Sequence, residues 1–309
     1  MNARHAAPDT RNLALDERIA GAPIAWGVTD EPGRGWPSDP ETVFGQMNYV
    51  GLAATELGPD GFLPDDPAAK VEILSRHDLQ AVGVSVPVVL HLGDHDPLPD
   101  LERVMAGLSA VGGTIVVLTA ATEGAPADER QELDEQGWAT LLANLDRLAD
   151  AAREQGLTAA LHPRVGSSVA TGDDIERVLA DSRIGLCLDT GHVILGGGDP
   201  LALARRHPGR IAHVHLKDVR LELARKVQTA ELSYAAAVGQ GLYPPLGEGD
   251  LDTDAMVTVL EDLGYSGWYV LDQEAILDEA QAGDGPLDAV LTSFHHLLGI
   301  AAQRSGVGI

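Results

Sequence analysis

The chain has 309 residues, near the size of one large barrel or two ordinary domains. It is 44% hydrophobic, enough for a full core, and no stretch approaches the roughly 18 uninterrupted apolar residues of a membrane span. Twenty-one Lys and Arg stand against 47 Asp and Glu, and the net charge of −26 argues against nucleic acid or an anionic membrane as partner, because both attract basic surfaces.

The first residues, "MNARHAAPDTRNLALDERIAG", are polar and lack the apolar stretch of a signal peptide. Residues 1–17 read as a loose tail and 18–309 as a single domain. The single cysteine, Cys187, allows no intrachain disulfide and suits a reducing compartment. The expectation is a cytoplasmic protein.

Short apolar runs then alternate with helical patterns to the end of the chain. The predicted strands are "IAGAPIAWGV" (19–28), "AATELG" (53–58), "QAVGVSVPVVL" (80–90), "TIVVLTAA" (114–121), "LTAALHPR" (157–164), "IGLCLDTG" (184–191), "IAHVHLKD" (211–218) and "WYVLDQE" (268–274). Between them lie stretches such as "GWATLLANLDRLADAAREQG", where Leu141, Leu142, Leu145, Leu148 and Ala152 recur at the spacing of an amphipathic helix. Strands alternating with helices in this number predict an α/β fold, a closed (β/α)₈ TIM barrel. A doubly wound open sheet is the runner-up, but no glycine-rich phosphate fingerprint follows the first strand. Residues 220–252 are too long for a plain loop and predict an added helix and a lid.

In such a barrel the C-terminal ends of the strands face one mouth, where active sites are built. Polar residues gather at those ends: Glu56 after the second strand, His162 and Arg164 after the fifth, Asp189 and His192 after the sixth. His215, Lys217 and Asp218 follow on the seventh, and Asp272 and Glu274 on the eighth. His162, Asp189, His215 and Asp272 come one from each of four successive strands. Two imidazoles and two carboxylates suit Mn²⁺, Co²⁺, Fe²⁺ or Zn²⁺. Taken singly, each has a plainer reading, a hydrogen-bonded structural histidine or an aspartate N-cap. Lys217 shares a side with His215 by strand alternation, and is otherwise a surface lysine. Trp26 reads either as a flat wall for a ring-shaped substrate or as a plug in the barrel floor.

The successive blocks "IAGAPIAWGV", "ATELGPDGFLP", "LHPRVGS", "LCLDTGH", "IAHVHLKDV", "PLGEGDLD" and "GYSGWYVLDQE" resemble the sugar phosphate isomerase/epimerase superfamily of xylose isomerase-like TIM barrels, from about residue 19 to 300. Within it they are most similar to the inosose dehydratases, lyases of inositol catabolism. The resemblance implies a divalent metal, Mn²⁺ or Co²⁺ first, with Zn²⁺, Fe²⁺ or Mg²⁺ also admitted. His162, Asp189, His215 and Asp272 would hold it. It implies substrate contacts from His192 and Lys217, which leaves His213 as a structural partner; the positions of Arg164, Glu56 and Trp26 make them the expected substrate lining. The implied reaction is dehydration of a keto-inositol (2-keto-myo-inositol) through an enolate, with Lys217 beside the enolate oxygen and His192 or Glu274 as proton donor. A ketose or inosose isomerase or epimerase on the same metal site is the alternative, as is a partner-dependent paralogue. Two departures stand out: "HPR" where the dehydratases usually read "HPH", and "DQE" where they read "EQD". The partner expected is a small polyol or ketose, with a homo-oligomer left open. The endonuclease branch is disfavoured by the acidic charge.

Overall fold

A computed structural model describes residues 10–29, 38–122, 130–274, 276 and 285–306. Nine parallel strands form one sheet: β1 (Ile19–Gly21), β2 (Ala54–Thr55), β3 (Gln80–Ala81), β4 (Gly83–Val88), β5 (Ile115–Ala120), β6 (Thr158–Leu161), β7 (Gly185–Asp189), β8 (Ile211–Leu216) and β9 (Tyr269–Leu271). Their order is β3-β2-β1-β9-β8-β7-β6-β5-β4. The two ends of that order are halves of one predicted strand, broken at Val82. Val82 N–H donates to Thr55 O at 2.9 Å, and Val82 O accepts from Thr114 N at 2.9 Å and Ile115 N at 3.2 Å. The backbone at Val82 thus joins the two ends, and the fold is the TIM barrel expected.

Runs such as Ile115–Ala120 are apolar on both sides because an all-parallel sheet is covered by helices outside and filled by side chains inside. The helix Glu135–Glu154 buries Leu141, Leu145, Leu148 and Ala152 as predicted, while Leu142 is only partly buried. Its start is capped by Asp134, whose side chain accepts from Gly137 N. One hydrophobic cluster runs from Leu15 to Ala301.

Several strands are shorter than their apolar runs. The first ends at Gly21, and Pro23–Trp26 forms a 3-10 turn closed by Gly27 at φ 74°. Pro23 has no N–H to continue the ladder, so the segment turns there instead of extending to residue 28. Of the tail 1–17, residues 10–12 and 15–18 form 3-10 turns and Leu15 is buried; residues 1–9 lie outside the described residues. Below the barrel, Arg18 grips both oxygens of Glu261 at 2.7 and 2.8 Å and donates to Gly267 O.

The excursion after β8 contains two short helices, Leu221–Gln228 and Tyr234–Gly239. They carry a small core of their own, including Leu195, Val219, Ala224, Tyr234, Leu242 and Tyr243. Asp218 ties the far end of the excursion down, accepting from the N–H groups of Val219, Gly247, Gly249 and Leu251 at 2.8–3.0 Å.

Candidate active site

The parallel register sets the site. Asp189 of β7 is paired with His215 of β8, and Leu216 is paired with Leu271 of β9, so the next residues, Lys217 and Asp272, leave the sheet at one level. Alternation turns His213, His215 and Lys217 to the barrel interior, where they are 1%, 2% and 1% exposed. A cavity of about 510 Å³ opens above them. Glu56, His162, Arg164, His192, His215, Lys217, Asp272 and Glu274 all line it, with Ile24, Val28 and Pro87 as apolar wall.

The carboxylates and bases interlock. Asp189 spends its Oδ1 as the N-cap of the helix Thr190–Leu195, accepting from His192 N at 2.8 Å. The capping reading of this aspartate therefore holds for one oxygen and leaves the other to the cluster. Its Oδ2 faces His162 Nε2 at 3.1 Å, Lys217 Nζ at 2.9 Å and His215 Nδ1 at 3.7 Å. Asp272 Oδ2 lies 2.8 Å from Lys217 Nζ and 3.1 Å from His215 Nδ1. Burial alone would raise both aspartates, but the Lys217 ammonium between them holds each below the ordinary range. Burial would likewise lower Lys217, and the two carboxylates outweigh it, so the lysine stays charged.

Glu56 completes the cluster from across the barrel. Its Oε1 accepts from both His213 Nε2 and His215 Nε2 at 2.9 Å. Burial opposes its charge, yet the two imidazoles keep it ionised. An ionised carboxylate can only accept, so both imidazoles present Nε2–H to it. His215 Nδ1 is left buried without a hydrogen-bond partner, among carboxylate oxygens. Burial opposes a charge on His215, yet Cys187 and then the carboxylates of Glu56, Asp272 and Asp189 raise its pKa well above the ordinary value, so the site favours a positive charge there. A proton supplies that charge, and so does a metal ion.

Donor atoms of His162, Asp189 and His215 lie within 4.8 Å of one another, and so do those of Glu56, His213 and His215. Asp272 stands beside the first group through His215 and Lys217. The donor set and the orphaned Nδ1 fit a borderline divalent cation. Cys187, below His215, does not compete for it: burial pushes its thiol up to about 11.

Farther out, the His192 ring is buried with both nitrogens unpartnered by hydrogen bonds, and Nε2 is 3.9 Å from Glu274 Oε2. Burial first, and then the Lys217 charge, lower its pKa well below the ordinary value, so it is a neutral imidazole. Tyr234 donates to Glu274 Oε2 at 2.7 Å, and Arg164 lies 3.5 Å from Glu274 Oε1. Among the described residues Glu274 is held by these side chains, and it lines the cavity.

Trp26 does not belong to this group. It packs in the core at 2% exposure with its indole N–H donating to Gln46 Oε1, and its neighbours Ile24 and Val28 form the wall instead. Sequence reasoning placed Thr190 at the end of the sixth strand without giving it a role, and missed Tyr234 and Tyr243. The two tyrosines sit in the post-β8 excursion, whose own pattern gives no register with the barrel. Thr190 exchanges two hydrogen bonds with the Lys217 backbone, at 2.7 and 2.9 Å. Its place beside Asp189 in "LDTGH" was the one available signal.

Comparison with known proteins agrees with this fold. Residues 47–287 match the family model of the xylose isomerase-like TIM barrel. The rhizopine catabolism protein MocC of Rhizobium meliloti is 32% identical over 278 residues, spanning 86% of this chain and 84% of that protein. An inosose dehydratase of Erwinia tasmaniensis is 29% identical over 269 residues, 83% of this chain and 90% of its own. Among solved structures, the IOLI protein with a bound zinc atom superposes with a TM-score of 0.65 at 14% identity, covering 93% of this chain and 98% of that one. The probable 3-DHS dehydratase AsbF of Bacillus anthracis gives 0.65 at 12% identity, over 91% and 98%. Among the described residues no helix is long and apolar enough to cross a membrane.

Proposed function

The chain belongs to the xylose isomerase-like TIM barrel family, and from that premise we propose that it is a metal-dependent dehydratase of a keto-inositol, acting through an enolate. The observation that carries the reading is the convergence of His162, Asp189, His215, Asp272 and Lys217 at the base of a cavity of about 510 Å³, large enough for a six-membered polyol. The curated relatives named inosose dehydratase, matched over most of their length, support the substrate class.

His162, Asp189, His215 and Asp272 would hold the ion. When bound, a divalent cation supplies Lewis acidity toward a ketone oxygen. The rest falls to the chain. Lys217, buried to 1%, keeps a positive charge beside the place where the enolate oxygen develops. His192, neutral and with free ring nitrogens facing the cavity, takes the proton alpha to the carbonyl. The imidazolium so formed has Glu274 at 3.9 Å as counter-ion and can return the proton to the departing beta hydroxyl, which leaves as water. His192 acts here first as base, where the motif alone suggested a donor. Glu274, fixed by Tyr234 and Arg164, is the second group able to carry that proton.

An isomerase or epimerase shares the first half and differs in where the proton returns. Arg164 and the shorter Asp272 mark the places where substrate preference would diverge from the dehydratases. The test is incubation of the metal-loaded protein with 2-keto-myo-inositol in deuterated solvent. The lyase reading expects ultraviolet absorbance of a dione and loss of water. Deuterium at the alpha carbon without loss of oxygen would replace it with the isomerase. Turnover of any candidate polyol with neither exchange nor elimination refutes the enolate route.

A further inference from the structure

Only three lysines occur in the chain, Lys70, Lys217 and Lys226. One of them is buried to 1% at the base of the cavity. Its ammonium contacts Asp189 Oδ2 at 2.9 Å and Asp272 Oδ2 at 2.8 Å. Those are the same two oxygens that turn toward His162 and His215. A divalent ion bonds carboxylate oxygen at about 2.0–2.2 Å. Both cations would then share both oxygens at close range, and like charges in a buried site repel strongly.

The root of the lysine cannot move. Its backbone N–H and C=O are both pinned by Thr190 Oγ1, and Gly191 packs so closely that an added Cβ would lie 3.0 Å from Lys217 Cβ. The far end has somewhere to go. Lys217 lines the cavity, and Nζ already lies 5.4 Å from the Tyr243 ring centroid, a contact that favours an ammonium and does not depend on the aspartates.

We propose that Lys217 is an internal competitor for the divalent cation. Its ammonium neutralises Asp189 and Asp272 until a metal takes those oxygens, and metal binding turns Nζ out toward the cavity, where the substrate meets it. The lysine thus weakens metal affinity and in return arms the loaded site with a mobile positive charge. This inference rests on the metal reading above.

Metal-free wild type, Lys217→Met, Lys217→Arg and His215→Ala are titrated with Co²⁺, read by calorimetry and by ligand-field absorbance. Lys217→Met should bind Co²⁺ about 10- to 100-fold more tightly than wild type, the scale on which a neighbouring charge shifts occupancy at a buried site. Lys217→Arg, which keeps the charge, should bind no more tightly than wild type. A second measurement needs no variant. Reductive methylation of wild type with and without Co²⁺, followed by mass spectrometry, should show Lys217 modified several-fold faster in the loaded protein. Lys70 and Lys226 serve as internal references. Unchanged or weaker Co²⁺ binding by Lys217→Met overturns the competition, and equal labelling at saturating Co²⁺ overturns the displacement. In both cases loss of binding in His215→Ala leaves the metal site standing. Failure of wild type and Lys217→Met alike to bind Co²⁺ overturns the metal reading and this inference together.

Discussion

Glu56 Oε1 lies 2.9 Å from His215 Nε2, although the two residues are 159 positions apart and their strands, β2 and β8, are not neighbours in the sheet. The contact crosses the barrel interior. It fixes which nitrogen of His215 carries a proton and which faces Asp189 and Asp272.

Glu56→Gln removes the charge that holds His215 Nε2–H and His213 Nε2–H together. An amide offers an oxygen to one imidazole and an N–H to the other, so the His215 ring loses its fixed tautomer. Metal affinity should fall about 10- to 100-fold, the usual effect of removing a carboxylate partner of a metal-ligating histidine. A Co²⁺ titration checks this. Affinity equal to wild type would place Glu56 on the substrate instead.

Asp272 and Glu274 separate by role. Asp272→Ala should lose metal, because its Oδ2 faces His215 Nδ1 at 3.1 Å. Glu274→Ala should keep metal and lose turnover, because Glu274 meets Tyr234, Arg164 and His192 and none of the proposed ligands. Metal content by atomic absorption, set beside steady-state rates, distinguishes the two. Full rate in Glu274→Ala would remove it from the chemistry.

Gly249→Ala tests the latch by which Asp218 ties down the far end of the excursion. A Cβ at residue 249 would meet Asp218 Oδ1 at 2.2 Å, well inside contact distance. The loop must shift and give up some of the N–H bonds that Asp218 accepts. Stability should drop by about 1–3 kcal/mol, the common cost of overpacking. Urea denaturation measures it, and a loss below the error of the method would show that the loop yields freely.

Asp146→Asn tests a contact far from the site. Asp146, on the helix Glu135–Glu154, accepts from Ser182 Oγ at 2.8 Å and Arg183 N at 2.7 Å, tying that helix to the entry of β7. Burial opposes its charge, and these donors together with the Arg183 guanidinium outweigh it, lowering its pKa below the ordinary 3.8. A depressed carboxyl stabilises the fold fully above its unfolded value and loses that effect as pH falls through the folded value. The variant should be less stable at pH 7 by about 1 kcal/mol, a figure kept small because the group is partly exposed. The gap between variant and wild type should narrow once pH drops below 3.8. A gap that is constant down to acid pH would mean that the charge is irrelevant.

The sequence carried the barrel because its evidence is local. A strand buried on both faces is an apolar run, a covering helix is an apolar stripe, and both are written in consecutive residues. The polar residues at strand ends were legible for the same reason, since a carboxylate or imidazole closing an apolar run is costly to bury without a purpose. His162, Arg164, His192, His215, Lys217, Asp272 and Glu274 were found this way, and all line the cavity. Trp26, read either as a substrate wall or as a plug, lies in the core because Pro23 ends β1 early and the turn that follows sends the indole there.

What only the tertiary structure decided is which atom faces which. Register placed Lys217 level with Asp272, and barrel closure at Val82 brought Glu56 across to His213 and His215. The excursion's small core set Tyr234 on Glu274 and Tyr243 beside Lys217. The sequence by itself determined which residues reach the mouth, through the period of two that governs every strand. The pairing of their charges depends on ladder offsets and ring closure between segments far apart in the chain, and no local period encodes those.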